Sequence, residues 1–220
     1  SMFAARAWMR DLGHVPEMMD GFVEFFYEGK SPHTESDDLH ESTHGAFAPD
    51  GAVVYMPDCE TRKHYPDLIE RVGKLLEDLL GEKARLATRD QREGAACCGF
   101  PVLAAGDEDG YRRYRNELFA GLGKCDYVLT DCAAFATLHR EGGSFGWESL
   151  EEPEVVHIIE FLAEFADALP IREPLDASKM KLHDSCFVGR HLELYDETRQ
   201  VLSAITEESH QEFQFNRDDA

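Results

Sequence analysis

Ala52-Val53-Val54-Tyr55-Met56-Pro57-Asp58-Cys59 decides how this chain folds. Five apolar residues in a row are long enough for a strand buried on both faces, as in a parallel sheet. The run stops at Pro57 and delivers a cysteine just past the strand end. A helix is expected next, with Tyr65, Leu68, Ile69, Val72, Leu75, Leu76, Leu79 and Leu80 on one face, and Gly81 to stop it.

The same alternation continues downstream. Lys83 to Thr88 reads as a second strand, followed by a loop from Glu93 to Pro101 that contains Cys97-Cys98-Gly99. A helix carrying Tyr111, Tyr114, Leu118, Phe119 and Leu122 leads to a third strand, Tyr127-Val128-Leu129-Thr130, which ends at Asp131-Cys132. The pattern then predicts a helix from about Ala133 to His139, stopped by Gly142-Gly143, and another over 155–168 ended by Pro170. Lys179 to His183 reads as a strand ending at Asp184-Ser185-Cys186. A helix with Leu192, Tyr195, Val201, Leu202 and Ile205 follows, then a short strand over Glu212 to Phe215. Alternating strands and helices predict an α/β fold, a Rossmann-like, mostly parallel sheet flanked by helices.

Upstream, residues 1–50 read as a helical lead-in and linker. Trp8, Met9, Met18, Met19, Phe22, Phe25 and Phe26 are expected to pack into a core. Gly29 to Pro49 is a polar loop, and its His33, His40 and His44 lack paired ligand spacing, so they read as solvated. Ser1 ahead of Met2 looks like a cloning remnant.

Composition narrows the function. The 220 residues carry a formal charge of −22. No basic footprint for nucleic acid survives, and an anionic membrane surface would repel the chain. The scarcity of Lys beside Arg fits either a salt-adapted surface or an ordinary solvated acidic one. At 43% hydrophobic residues the chain builds a core. It shows no apolar run of membrane-spanning length and no export signal, so a cytoplasmic location is expected, with thiols or metal ligands rather than disulfides.

Cys59, Cys132 and Cys186 each follow a strand, where ligands gather in open α/β sheets. Cys97 and Cys98 fall in a strand-to-helix loop on the same rim. Four converging thiolates suit iron in an iron–sulfur cluster, or tetrahedral zinc; buried cysteines also serve as small apolar residues. Cys125 precedes a strand and reads as structural. His64 reads as a surface residue, and His183 as a donor to a cluster sulfur or a residue lining a substrate pocket. Asp58, Asp131 and Asp184 read as helix caps. Gly99 is expected to let the backbone come close to a bound group. Gly121-Leu122-Gly123 follows a helix, so it is no dinucleotide fingerprint.

Cys59, Cys97-Cys98-Gly99-Phe100-Pro101, Thr130-Asp131-Cys132 and Leu182-His183-Asp184-Ser185-Cys186 together resemble the cysteine-rich CCG domain. That family includes heterodisulfide reductase B and D subunits and the iron–sulfur subunits or domains of FAD-linked glycolate, lactate and glycerol-3-phosphate oxidoreductases. The resemblance implies one CCG repeat at 51–175 and a truncated second at 176–220. It implies that Cys59, Cys97, Cys98 and Cys132 hold a first cluster, and that Cys186 is the first ligand of a second. The family pattern closes with CxxC, but Phe135 stands where its last cysteine would be. Four thiolates suffice for a [4Fe-4S] cluster or for zinc. The implied function is a non-flavin iron–sulfur electron-transfer module of a flavin-linked oxidoreductase. Its expected partners are a flavoprotein subunit or domain bearing FAD and a ferredoxin-like domain, which would bring it to the inner face of the membrane without insertion. A heterodisulfide reductase-like thiol–disulfide subunit and a zinc-stabilised structural module are the alternatives.

Overall fold

The Val53-Val54-Tyr55-Met56 run is a strand, β1 (Val53–Met56), with every residue buried. The structure, a computed structural model, describes residues 2–27, 45–87, 97–140, 153–207, 210–213 and 217. Two helices come first, α1 (Met2–Asp11) and α2 (Glu17–Tyr27). After β1 come α3 (Cys59–His64), α4 (Pro66–Leu80), β2 (Arg85–Leu86), α5 (Phe100–Ala104), α6 (Glu108–Leu122), β3 (Tyr127–Thr130), α7 (Ala133–Arg140), β4 (Glu154–His157) and α8 (Ile158–Glu164). The chain continues through β5 (Lys181–Leu182), a π-helical turn at Cys186–His191, α9 (Tyr195–Ile205) and β6 (Gln211–Glu212).

Among the described residues one four-stranded sheet forms, in the order β2-β1-β3-β4. All its pairings are parallel: Val53 to Met56 lie against Tyr127 to Thr130, and these against Glu154 to His157. Alternate side chains of β1 serve two cores, which is why the run is apolar throughout. Val54 and Met56 pack with Tyr111, Leu118, Leu122 and Leu138 on one face. Val53 and Tyr55 pack with Ile69, Val72, Leu76 and Phe161 on the other. Pro66 opens α4, and Gly81, left-handed at φ 73°, closes it.

Several expectations need correction. The helix expected over 155–168 is in its first part a strand. Pro153 precedes it, and the β-branched pair Val155-Val156 fits the sheet edge better than a helix. Helix resumes at Ile158, and Ala166–Ala168 is a 3₁₀ turn. Phe100 and Pro101 belong to α5 rather than to the loop. The second strand is confined to Arg85–Leu86 and the last to Gln211–Glu212; Thr88, Phe215, Gly142 and Gly143 lie outside the described residues. So do His33, His40 and His44.

The lead-in is helical, but Trp8, Met9 and Met18 are exposed rather than in the core. Polar contacts dock these helices on α5 and α6. Arg6 and Arg10 donate to the Ala104 and Ala105 carbonyls at 2.9 and 3.1 Å, and the Tyr27 hydroxyl donates to Asp107 at 2.5 Å.

In the C-terminal part, β5 and β6 pair in parallel. The Arg199 guanidinium joins β5, α9 and β6, with fork contacts to Asp184 at 2.8 and 3.1 Å and to Glu212 at 2.5 and 2.8 Å. Asp184 is therefore an ion-pair partner, not a cap. Ser185 caps the turn instead, accepting from the Val188 N–H at 3.2 Å. Leu192 and Leu194 complete the core cluster that contains Cys97, Cys98 and Cys132.

His157 ends β4. Its Nδ1 accepts from the Ile159 N–H at 3.3 Å, capping α8. Burial is the main cause holding its imidazole down at about 4, with Arg140 adding to it and a bond to the Asp131 backbone opposing. His139 is held at about 4 by burial and by Arg115 and Arg140. Both are native as neutral rings, so below pH ~6.5 the unfolded chain binds more protons. Stability is thus complete above pH ~6.5 and falls towards pH ~4, by up to about 1.4 kcal/mol per pH unit for each buried histidine. Urea titrations at pH 7 and 4.5 should show a smaller loss for His157→Asn, which keeps a capping acceptor, than for wild type. An equal loss would mean that His157 does not titrate in this window.

Candidate metal centre

The strand order reverses direction between β1 and β3: β2 lies beyond one and β4 beyond the other. The crevice at the carboxyl ends of such a pair is where α/β sheets bind ligands. Cys59 and Cys132 flank it. Cys59 is the first residue of α3, behind the cap Asp58, which accepts from the Glu60 N–H at 2.7 Å. Cys132 directly precedes α7, and its N–H donates to the Thr130 hydroxyl at 3.0 Å. That hydroxyl also donates to the Met56 carbonyl at 2.7 Å, so it ties β3 to β1 at their ends.

Cys97 and Cys98 enter the crevice from the segment before α5. The Cys97 carbonyl is held by the buried Tyr114 hydroxyl at 2.7 Å. Gly99 is left-handed at φ 79°, and a Cβ there would meet Tyr114 at 2.8 Å and Tyr111 at 3.0 Å. Glycine is required by this turn and by the two tyrosine rings.

The four thiols meet. Cys59 lies beside Cys97, Cys97 beside Cys98, and Cys98 beside Cys132, each pair close enough for one thiol to shift the titration of the other. Cys97, Cys98 and Cys132 are buried and Cys59 is half-buried. The Cys97 thiol is pushed well below its ordinary value. The Cys59 thiol is the main cause, then that of Cys98, with the backbone N–H groups of Gly99 and Cys98 adding to it against burial. Cys59 is pushed up, first by its bond to Cys97 and then by burial; Cys98 is pushed up by its bonds to Cys132 and Cys97 and by burial. The shifts thus run in opposite directions within the cluster, down at Cys97 and up at Cys59 and Cys98. Backbone N–H groups turned towards an anion in this way form a nest.

Asp131 does not cap its own helix. Its carboxylate reaches across to the end of β1, accepting from the Asp58 N–H at 2.5 Å, the Thr61 hydroxyl at 2.8 Å and the Tyr55 hydroxyl at 3.2 Å. Burial raises its pKa against the pull of these bonds. Phe135 is fully buried in the same cluster as the thiols, 5.9 Å from the Phe119 ring. Its ring fills the space one helical turn after Cys132.

Cys186 is exposed at the head of its turn, much as Cys59 heads α3, and its neighbour Phe187 stacks edge-on against Phe100 at 5.6 Å. Cys125 is half-buried at the opposite end of β3, against the core. His64 is exposed beside Glu60 at 3.3 Å. His183 is exposed, edge-on to the Phe213 ring at 6.1 Å.

A family model described as CCG, cysteine-rich domain, matches residues 53–134. Over these residues the chain is similar to the cysteine-rich CCG domain. The match takes in β1, β3 and all four convergent thiols, and closes one residue before Phe135.

The chain is 32% identical over 145 residues to an EtfAB:quinone oxidoreductase of Syntrophomonas wolfei, covering 64% of this chain and 20% of that protein. It is 38% identical over 80 residues to the probable iron-sulfur-binding oxidoreductase FadF of Bacillus subtilis, covering 36% and 11% respectively. A third relative is the D-type component of the dihydromethanophenazine:CoB–CoM heterodisulfide reductase of Methanosarcina barkeri. It is 27% identical over 164 residues, covering 70% of this chain and 38% of that protein. The chain therefore spans well under half the length of these relatives. No solved structure matches it.

The matched residues fit an iron–sulfur group in their donor chemistry: four soft sulfurs lie together, three of them within an apolar cluster, and the Cys97 thiol is pushed well below its ordinary value. Among the described residues, no three His, Cys, Asp or Glu side chains are spaced around one point as a single metal ion requires.

The burial pattern orders thiol reactivity. In the metal-free folded chain, Cys186 should react fastest with a bulky aromatic disulfide reagent, the half-buried Cys59 and Cys125 more slowly, and Cys97, Cys98 and Cys132 only on unfolding. Cys186→Ser should remove most of the fast phase; an unchanged fast phase would refute this order.

Proposed function

We propose that this chain is the iron–sulfur electron-transfer module of a flavin-linked oxidoreductase. Cys59, Cys97, Cys98 and Cys132 would hold a [4Fe-4S] cluster, which when bound accepts and releases single electrons. The observation that carries this reading is the mutual contact of the four thiols at the sheet's carboxyl edge. The chain's own residues supply the rest. Leu103, Val102 and Phe135 exclude water on one side, and the N–H groups of Cys98 and Gly99 offset negative charge on sulfur. The half-buried Cys59 is the edge nearest solvent, where a partner would come close enough for electron exchange.

The relatives named as an iron-sulfur-binding oxidoreductase and as a quinone oxidoreductase support this class. On this reading FAD sits on a partner subunit or fused domain. The substrate is of the 2-hydroxy acid or glycerol-3-phosphate type, and electrons leave through a ferredoxin-like domain or to a quinone. Residues 51–175 would form one repeat and 176–220 the start of a second, with Cys186 as its first ligand. Among the described residues no helix is long and apolar enough to cross a membrane.

The heterodisulfide reductase relative favours a second reading, thiol–disulfide chemistry. Phe135 weighs against it, because its ring occupies the place of a fifth thiolate.

Anaerobic reconstitution of the full chain with iron and sulfide should give stoichiometric iron, with a visible absorption band and an EPR signal on one-electron reduction. Cys59→Ala and Cys132→Ala should each lower bound iron severalfold. Absence of iron in wild type, or alanine variants that match it, would overturn the proposal. Zinc alone in stoichiometric amount would assign the site to a structural metal instead.

A further inference from the structure

The backbone ladder between β1 and β3 ends at Met56 and Thr130, before either flanking cysteine is reached. Beyond that rung Cys59 and Cys132 would be free to part, unless side chains continue the grip. Asp131 does so. Its carboxylate takes the next N–H of the neighbouring chain, that of Asp58, and adds the hydroxyls of Thr61 and Tyr55. Asp58 in turn caps α3 and fixes Cys59 as its first residue. All three donors belong to the Cys59 side of the crevice, while Asp131 is covalently next to Cys132. One carboxylate therefore couples the two walls, and its donors lie 70 to 76 positions away in sequence.

We infer that Asp131 is a positioning residue, which sets Cys59 against Cys132 at the spacing the bound group requires. The inference rests on the metal-holding reading above. A hydrogen-bonding group just behind a ligand fixes that ligand's orientation, and losing such a partner typically costs roughly 10- to 100-fold in metal affinity. Asn retains an acceptor oxygen, and the Thr61 and Tyr55 hydroxyls can rotate to suit its amide. Leu retains nothing and leaves the Asp58 N–H without a partner.

The test is the rate at which the reconstituted full chain loses iron to a chelator, with the EPR line shape of the reduced form. Asp131→Leu should lose iron roughly 10- to 100-fold faster than wild type and broaden the signal. Asp131→Asn should recover most of the wild-type behaviour. The double variant Thr61→Val with Tyr55→Phe, which keeps Asp131 and removes two donors, should shift in the same direction by less, and it carries the test if Asp131→Leu does not fold. Wild-type release rates and line shape in the double variant, or a loss of thermal stability in the metal-free chain with no change in iron release, would overturn the inference. Failure of wild type itself to hold iron would instead refute the metal-holding reading on which it rests.

Discussion

Parallel pairing of β1 with β3 is the constraint on which the rest depends. Because Val53 faces Tyr127 and Met56 faces Thr130, both strands end at the same height. Shifting the pairing by one residue would exchange the two faces of β1, send Val54 and Met56 to the wrong core, and offset Cys59 from Cys132. Both faces of this pair are fully packed, so register is fixed by burial on two sides. The position of the sulfurs thus follows from the largest energetic term in the fold, apolar burial, rather than from any bond the sulfurs make.

Much of this is legible in the primary structure. The continuous apolar run at 53–56 announces a doubly buried strand, the periodicity at Ile69, Val72 and Leu76 announces the helix that covers it, and strand-end cysteines announce the crevice. The Val155-Val156 strand escapes such a reading because a short apolar stretch running into a helix carries both periods. The apolar residues of α1 and α2 mislead in the opposite direction. Trp8 and Met18 look like core material, yet those helices are docked by Arg6, Arg10 and Tyr27. The polar frame of the site leaves no local trace. That Asp131 takes bonds from Tyr55, Asp58 and Thr61 depends on which strands become neighbours, which no residue type near Asp131 encodes.

The carboxylates of Asp58 and Asp131 stand beside the site. The acid excess gives the chain its −22, yet the thiols lie among Val102, Leu103, Phe135, Leu192 and Leu194. A low-polarity lining strengthens each hydrogen bond to sulfur, because little water is there to screen it.

The buried ring of Phe135 has a consequence for how this site could evolve. A fifth sulfur at that position would need more than a codon change. Cutting a fully buried phenylalanine back to a small side chain opens a cavity, at a cost of about 3–5 kcal/mol for truncation to alanine. That is a large part of the roughly 5–15 kcal/mol by which a typical domain is stable. Phe119 would have to move in step with it, since its ring lies 5.9 Å away. Packing holds the Phe135 ring in place, and bringing a sulfur to that position would be a coordinated, several-residue event.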